Sequence, residues 1–252
     1  MNPLDYPYLI FLISVVVLWF ATWLGWRFGQ SRRERLAELR SDFNLVLGAA
    51  LTLLGLVIGF SFSMAAGRYE MRKNYEEAEA NAIGTEYVRA DLLPKEDAVR
   101  VRGLLRQYAD LRIAFYVTRD REKLRQVNAD TARVQNELWA AVKQPAMAQP
   151  TAVTALAVAG MNDVLNSQGY TQDAWWDRIP VAAWFLMFGI SLFCNALVGF
   201  GAPRVDSKLF MVLPLVVAIS FAFIADIDSP RGGFIHIRPQ NLESARAGLN
   251  RE

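Results

Sequence analysis

An all-α membrane protein with four transmembrane helices and an extramembrane helical bundle between the second and third is the fold class predicted for this 252-residue chain. Three observations predict it. Four long stretches carry no charge, most of the charge lies in one segment between the second and third of them, and apolar residues in that segment recur at helical spacing. Composition agrees, with 53% hydrophobic, 12% aromatic and only 21% charged residues, more apolar and less charged than an ordinary soluble domain.

The uncharged stretches are Tyr6–Trp26, Phe43–Gly67, Ile179–Pro203 and Leu209–Ala225. A helix needs about 20 apolar residues to cross the ~30 Å hydrocarbon layer. All four can span, the last near the short limit, and all 27 basic and 25 acidic residues lie outside them. The first stretch lacks a basic region ahead of it, exceeds the apolar core of a signal peptide and is followed by no clear cleavage site, so it is read as a true span. Tyr6, Tyr8, Trp19, Trp23 and Trp26, with Trp175, Trp176 and Trp184, are expected at the membrane interfaces.

The expected organisation is residues 1–67 for spans one and two, 68–178 for the extramembrane domain, 179–227 for spans three and four, and 228–252 for a tail. The second span is expected to continue as one helix from Phe43 to Asp91, roughly 70 Å at 1.5 Å per residue. It ends at Leu92-Leu93-Pro94, because proline disfavours helix in the residue before it. Val101, Leu104, Tyr108, Leu111 and Phe115 form one apolar seam, and Leu124, Val127, Thr131, Val134 and Leu138 form a second. Gln144–Pro150, with two prolines, reads as a loop. Val153, Leu156, Ala157, Gly160, Met161 and Val164 make a third amphipathic face.

Orientation follows from basic residues in short loops. Arg27, Arg32, Arg33, Arg35 and Arg40 lie between spans one and two, and Arg204 and Lys208 between spans three and four. The tails carry Arg231, Arg238, Arg246 and Arg251. Seven against four places the short loops in the cytoplasm, whereas Arg68, Arg72 and Lys73, close to span two, weigh the other way.

Several function classes are excluded or unsupported. One histidine (His236) and one cysteine (Cys194) exclude a His/Cys metal centre, an intrachain disulfide and a CxxC redox pair. A net charge of +2 is too balanced for a nucleic-acid binder. No GxSxG, HExxH, phosphate-loop or dinucleotide-binding motif occurs, so neither an enzyme nor a cofactor is expected. Asp226 and Asp228 form an Asp-x-Asp able to offer oxygens to a hard cation. The preferred reading is a helix-terminating turn in which Asp228 accepts backbone hydrogen bonds. Pro214 in span four is expected to kink or break it. Asn195 in span three is expected to make a helix-packing hydrogen bond.

Span two is the most informative. Gly48, Thr52, Gly55, Gly59 and Ser63 fall on one helix face, continued by Ala66. Small residues at this spacing allow close helix approach, and intramembrane packing is the default. The functional reading is a pore wall, with Leu51, Ile58 and Phe62 as the constriction and Ile58 and Phe62 its strongest candidates. A ring of Arg68, Arg72 and Lys73 in an oligomer would draw anions to a pore mouth, against a default of interfacial anchoring or pairing with Glu70, Glu76 and Glu77.

The segment GLVIGFSFSMAAGRYEMRKNYEEAEANAIGTEYVRADLLP, Gly55–Pro94, and the later IADIDSPRGGFIHI, Ile224–Ile237, resemble a bacterial membrane family described as bestrophin-like. The resemblance covers essentially the whole chain. It extends toward the bestrophins through Arg68-Tyr69, Arg72 and Asn81 after a span, together with the two-insert-two layout. It implies a pentameric anion channel whose second helix lines the pore with an apolar neck. It also implies a cytosolic insert, on the opposite side from the charge count. No acidic cluster resembles a bestrophin calcium clasp. The expected function is an oligomeric ion channel of the bacterial inner membrane, with inorganic ions, the lipid bilayer and further copies of the chain as partners. The alternative is a non-conducting sensor or scaffold acting through the helical domain.

Overall fold

A computed structural model of the chain describes residues 6–32, 39–202 and 208–250. Arg33, Arg35, Arg204 and Arg251 of the charge count lie outside the described residues, as does the side chain of Lys208. Among the described residues there are only helices and connections. They are α1 (Pro7–Gln30), α2 (Arg40–Arg89), α3 (Lys95–Val117), α4 (Arg121–Ala148), α5 (Ala152–Trp176), α6 (Val181–Gly201), α7 (Val212–Asp228) and α8 (Gln240–Gly248), with 3-10 turns at Ala90–Leu92 and Lys208–Met211. Among the described residues three stretches are long and apolar enough to cross a membrane: Pro7–Gln30, Arg40–Leu92 and Ala152–Gly201. Helix α7 has 17 residues, at the short limit for a crossing.

Local chemistry sets the boundaries. Pro7 opens α1, where its missing N–H costs nothing. Helix α2 runs 50 residues without proline and stops where Leu93, preceding Pro94, turns extended. Asp120 caps α4 by accepting from Lys123 N at 2.8 Å. Thr151 and Thr154 cap α5 reciprocally, each side chain bonded to the other's backbone N–H at 3.1 Å. The expected loop at Gln144–Pro150 is corrected: α4 continues to Ala148 with Pro145 inside it. Pro145 sits in the last turn, and the break waits for Gln149, which Pro150 holds out of the helical region. Pro214 is the third residue of α7, where a backbone N–H has no helical acceptor, so it starts the helix without kinking it.

The chain divides into two compact units, Met1–Tyr69 with Arg178–His236, and Glu70–Asp177 with Ile237–Glu252. In the first unit, Leu18, Leu54, Met187, Cys194, Phe221 and Ile224 belong to one apolar core. Helices α1 and α6 meet backbone to backbone. A Cβ on Gly25 would strike the Ala196 carbonyl, one on Gly29 the Phe200 carbonyl, and one on Gly199 the Thr22 carbonyl. Between them Thr22 Oγ1 lies 2.9 Å from Leu18 O and 3.2 Å from Asn195 Oδ1, and Asn195 Nδ2 donates to Ser191 O at 2.8 Å. Asn195 thus serves helix packing. Trp184, expected at an interface, is buried in this core instead.

The second unit is organised around a buried ion pair. Arg112 Nε donates to Glu79 Oε1, and both side chains are sealed from solvent. Thr171 Oγ1 adds a bond to Glu79 Oε2 at 3.2 Å, and the Arg112 guanidinium lies 4.5 Å from the Phe115 ring centre. Burial, reinforced by the Glu79 carboxylate, pushes the Tyr108 and Tyr116 hydroxyls up and keeps them neutral. Phe115, Tyr116 and Trp175 meet edge to face, so Trp175 belongs to this core and not to an interface. The seams appear with small shifts in phase: Val101, Leu105, Tyr108 and Phe115 are buried on α3, and Thr131, Val134 and Leu138 on α4. On α5 the buried face is Ala157, Gly160, Met161 and Val164, while Val153 and Leu156 are exposed. Helix α8 is tied to α2 through Glu76, which accepts from Asn241 Nδ2 at 2.6 Å and Leu242 N at 2.9 Å.

These contacts can be tested by substitution. Gly199→Ala pushes a methyl into the Thr22 carbonyl and is expected to cost about 1–3 kcal/mol, read as a lower thermal midpoint in detergent. Arg112→Ala strands the Glu79 carboxylate and is expected to cost about 3–5 kcal/mol. A Glu79→Gln/Arg112→Met double variant should recover most of that loss in the same assay.

Candidate functional site: an open glycine face on the second helix

The first part of α2 has a closed face and an open one. Leu54, Ser61 and Ala65 are buried, and Leu51, Val57 and Ile58 pack half-buried against the first unit's core. These positions follow the three-and-four spacing of one helix face. The other face is bare. Only 11% of the helix's apolar window is buried within the chain. Gly48, Gly55 and Gly59 are exposed, and a Cβ added to any of them would meet nothing within 4 Å. Thr52 and Ser63 are exposed beside them, and Thr52 Oγ1 is bonded to Gly48 O at 2.9 Å. Next around the helix stand exposed bulky side chains, Leu53, Leu56, Phe60 and Met64. Phe62 borders the glycine face and is 44% exposed.

The expected pore residues therefore separate into two groups. Thr52, Gly55, Gly59, Phe62 and Ser63 share the open side. Leu51 and Ile58 do not: both are half-buried against the first unit's core. Intramembrane packing within the chain, the default for the glycine stripe, is carried out elsewhere, by Gly25, Gly29 and Gly199.

The expected pore-mouth cations separate likewise. Lys73 is exposed, Arg68 is half-buried, and Arg72 is buried at 1% exposure. Arg72 Nε donates to Ala174 O and its Nη2 to Asp177 O, each at 3.0 Å. Arg72 caps the carbonyl end of α5, a helix terminus that favours a cation. It is withdrawn from the surface and spends these donors on backbone carbonyls.

Asp226 and Asp228 both accept from backbone N–H groups. Asp228 accepts from Ile179 N at 3.1 and 3.3 Å. Asp226 accepts from Phe234 N at 2.7 Å and Ile235 N at 2.8 Å. The turn that returns Phe234 to Asp226 closes through Gly233 at φ +80°, packed against the Asp226 carboxylate. Among the described residues no group of three or more His, Cys, Asp or Glu side chains is placed to hold a metal ion. His236 is exposed, its Nδ1 3.0 Å from Phe234 O.

Sequence reasoning missed the α1–α6 glycine contact and Arg112 as the partner of Glu79. The signals were present. Gly25 and Gly29 are four apart in an apolar helix, and Arg112 falls four after Tyr108 and three before Phe115 on the buried seam.

Known proteins share this architecture. The family model for the Bestrophin-like domain matches residues 12–242. A bacterial bestrophin homologue from Klebsiella pneumoniae, in a variant with one leucine replaced by threonine, superposes with a TM-score of 0.64 at 15% identity, over 96% of this chain and 97% of that one. A second structure of the Klebsiella pneumoniae homologue, phased on zinc, gives 0.61 at 16% identity over 96% of each chain. A structure described only as a membrane protein, with one proline replaced by alanine, gives 0.60 at 16% identity, over 96% of this chain and 97% of that one. No curated protein sequence matches. Likeness at this identity shows a shared fold, and the family match decides the assignment: the chain belongs to the bestrophin-like family.

Proposed function

We propose that this chain is one subunit of an oligomeric ion channel of the bacterial inner membrane, and that the open face of α2 lines the ion path. In this reading α1, α6, α7 and the first part of α2 are the four spans. The observation that carries it is the glycine face. Gly48, Gly55 and Gly59 meet nothing in their own chain, along a helix that leaves most of its apolar surface uncovered. Such a surface is covered by lipid or by other copies, and two chemistries on one helix divide the work. Leu53, Leu56, Phe60 and Met64 suit lipid or a neighbouring helix, whereas Thr52, Gly55, Gly59 and Ser63 suit close approach of backbones around water. Phe62, at the edge of that face, is the apolar residue left to narrow the path. Anion preference and five copies rest on the resemblance to bestrophins, with Lys73 as the exposed cation past the span. Closing such a path needs several copies, because one helix per chain encloses no water by itself.

A non-conducting sensor or scaffold is the second reading. It is favoured by an apolar groove of about 540 Å³ in the second unit, lined by Trp139, Pro150, Thr151, Val158 and Ala159, with Met147 and Leu156 exposed in the same hairpin.

Two measurements separate the readings. Purified protein in proteoliposomes is expected to pass ions above the level of empty vesicles, and Phe62→Ala to change that flux severalfold. Silence of both proteins, with the oligomer shown intact by mass, removes the channel. In cysteine substitution, Thr52, Gly55 and Gly59 are expected to react with water-soluble thiol reagents, and Leu54 and Ala65 to stay protected. Uniform protection would mean a dry, packed α2.

A further inference from the structure

Glu86 lies on the inner face of α2, against α5. It is fully buried, and neither carboxylate oxygen has a protein hydrogen-bond partner. The two other buried glutamates of α2 are engaged: Glu76 by Asn241 and the Leu242 N–H, Glu79 by Arg112 and Thr171. What seats Glu86 is the missing side chain of Gly160, since a Cβ there would collide with both Glu86 Oε2 and Arg89 Nη1. The charged groups facing it are Arg89, one turn on along α2, and Asp163 on α5. Arg89 stands beside it without a hydrogen bond to either oxygen.

A carboxylate in that setting is held neutral, because an ion without donors is far costlier to bury than the acid. Burial is the main cause and Asp163 adds to it. Arg89 opposes them, and the outcome is a carboxyl pushed up to about 8. We propose that Glu86 is a proton-binding site that locks α2 to α5: the neutral acid seals against Gly160, and its ionisation at alkaline pH breaks that seal and draws the carboxylate into a pair with Arg89. The sign follows from proton binding. Between the ordinary carboxylate range and about pH 8 the unfolded chain has lost this proton and the folded chain has kept it. Stability therefore falls as pH rises through that window and levels off above it. The proton site stands on the packing within the second unit. Its consequence for conduction, a proton-sensitive helix whose earlier residues line the path, rests on the proposed channel.

The test is an infrared titration of the full-length protein in detergent from about pH 6 to about pH 10, read at the carbonyl stretch of protonated carboxyl groups. The expected result is a band lost with a midpoint near pH 8 and absent from Glu86→Gln. Asp163→Asn should move the midpoint down and Arg89→Gln should move it up, which keeps the test open even if Glu86→Gln fails to fold. The thermal midpoint should also fall from about pH 6 to about pH 8 more steeply in the wild type than in Glu86→Gln. A band that persists in Glu86→Gln, or a titration confined to the ordinary carboxylate range, overturns the site. The titration is independent of flux: a midpoint near 8 in protein that carries no ions upholds the lock and removes the channel, whereas conducting protein without that titration removes the lock alone.

Discussion

The physical constraint on which the structure depends is the inner stripe of α2. A 50-residue helix cannot be stable on propensity alone and must be held by packing along one face. Here the stripe runs at three-and-four spacing through Leu54, Ser61 and Ala65, and then through Arg72, Glu76, Glu79, Ile83 and Glu86. Its character changes from apolar to charged at the point where the chain divides into two units. In the first unit the stripe is satisfied by dispersion and area. In the second, Arg72, Glu79 and Glu76 are satisfied by hydrogen bonds to carbonyls, to an arginine and to the N-terminal turn of α8, and Glu86 is left without one. The same helical geometry that fixes these contacts fixes the opposite face as well, so the open glycine face is a consequence of the closed one.

The first unit can leave that face open because it is held together elsewhere. Gly25, Gly29 and Gly199 let α1 and α6 approach to backbone contact, where many weak contacts accumulate and Thr22 Oγ1 lies 3.2 Å from Asn195 Oδ1. Glycines are therefore used in two opposite ways in one unit. On α1 and α6 they are filled by a neighbouring backbone, and on α2 they face nothing in the chain. Composition cannot tell these uses apart; only the neighbour can.

That distinction marks what was legible in the sequence. The helical class, the long α2, the break at Pro94 and the seams of the second unit follow from charge-free length and periodicity, which are local properties. The candidate site was legible only in part. The side of α2 that carries Thr52, Gly55, Gly59 and Ser63 was readable as one face, but its openness was not, because openness depends on where α6 and α7 pack. Leu51 and Ile58, expected with Phe62 at the constriction, stand at the boundary between the two faces and pack half-buried against the core. Arg72 groups with Arg68 and Lys73 by its place after the span, whereas its helical phase matches Ala65 and its side chain is buried. For Arg72, helical phase is a better guide to burial than position after the span. The α4 terminus shows the converse: two prolines suggested a loop, and the helix continues through the first to Ala148.

Phase also explains why three glutamates on one stripe meet three fates. Glu76 faces the start of α8, where backbone and amide N–H groups supply donors to a carboxylate. Glu79, three residues on, faces Arg112, and a charge is matched by a charge in a region closed to water. Glu86, seven residues beyond Glu79, faces Gly160, which brings no donor at all. A glutamate left without donors in a packed contact lowers stability at neutral pH, and leucine of similar size would fill the same space without that cost. An ionisable group kept where a neutral one would pack better is sensible when its proton is the point. The geometry around it supplies both requirements of such a device, a seat for the neutral acid at Gly160 and a partner for the anion at Arg89.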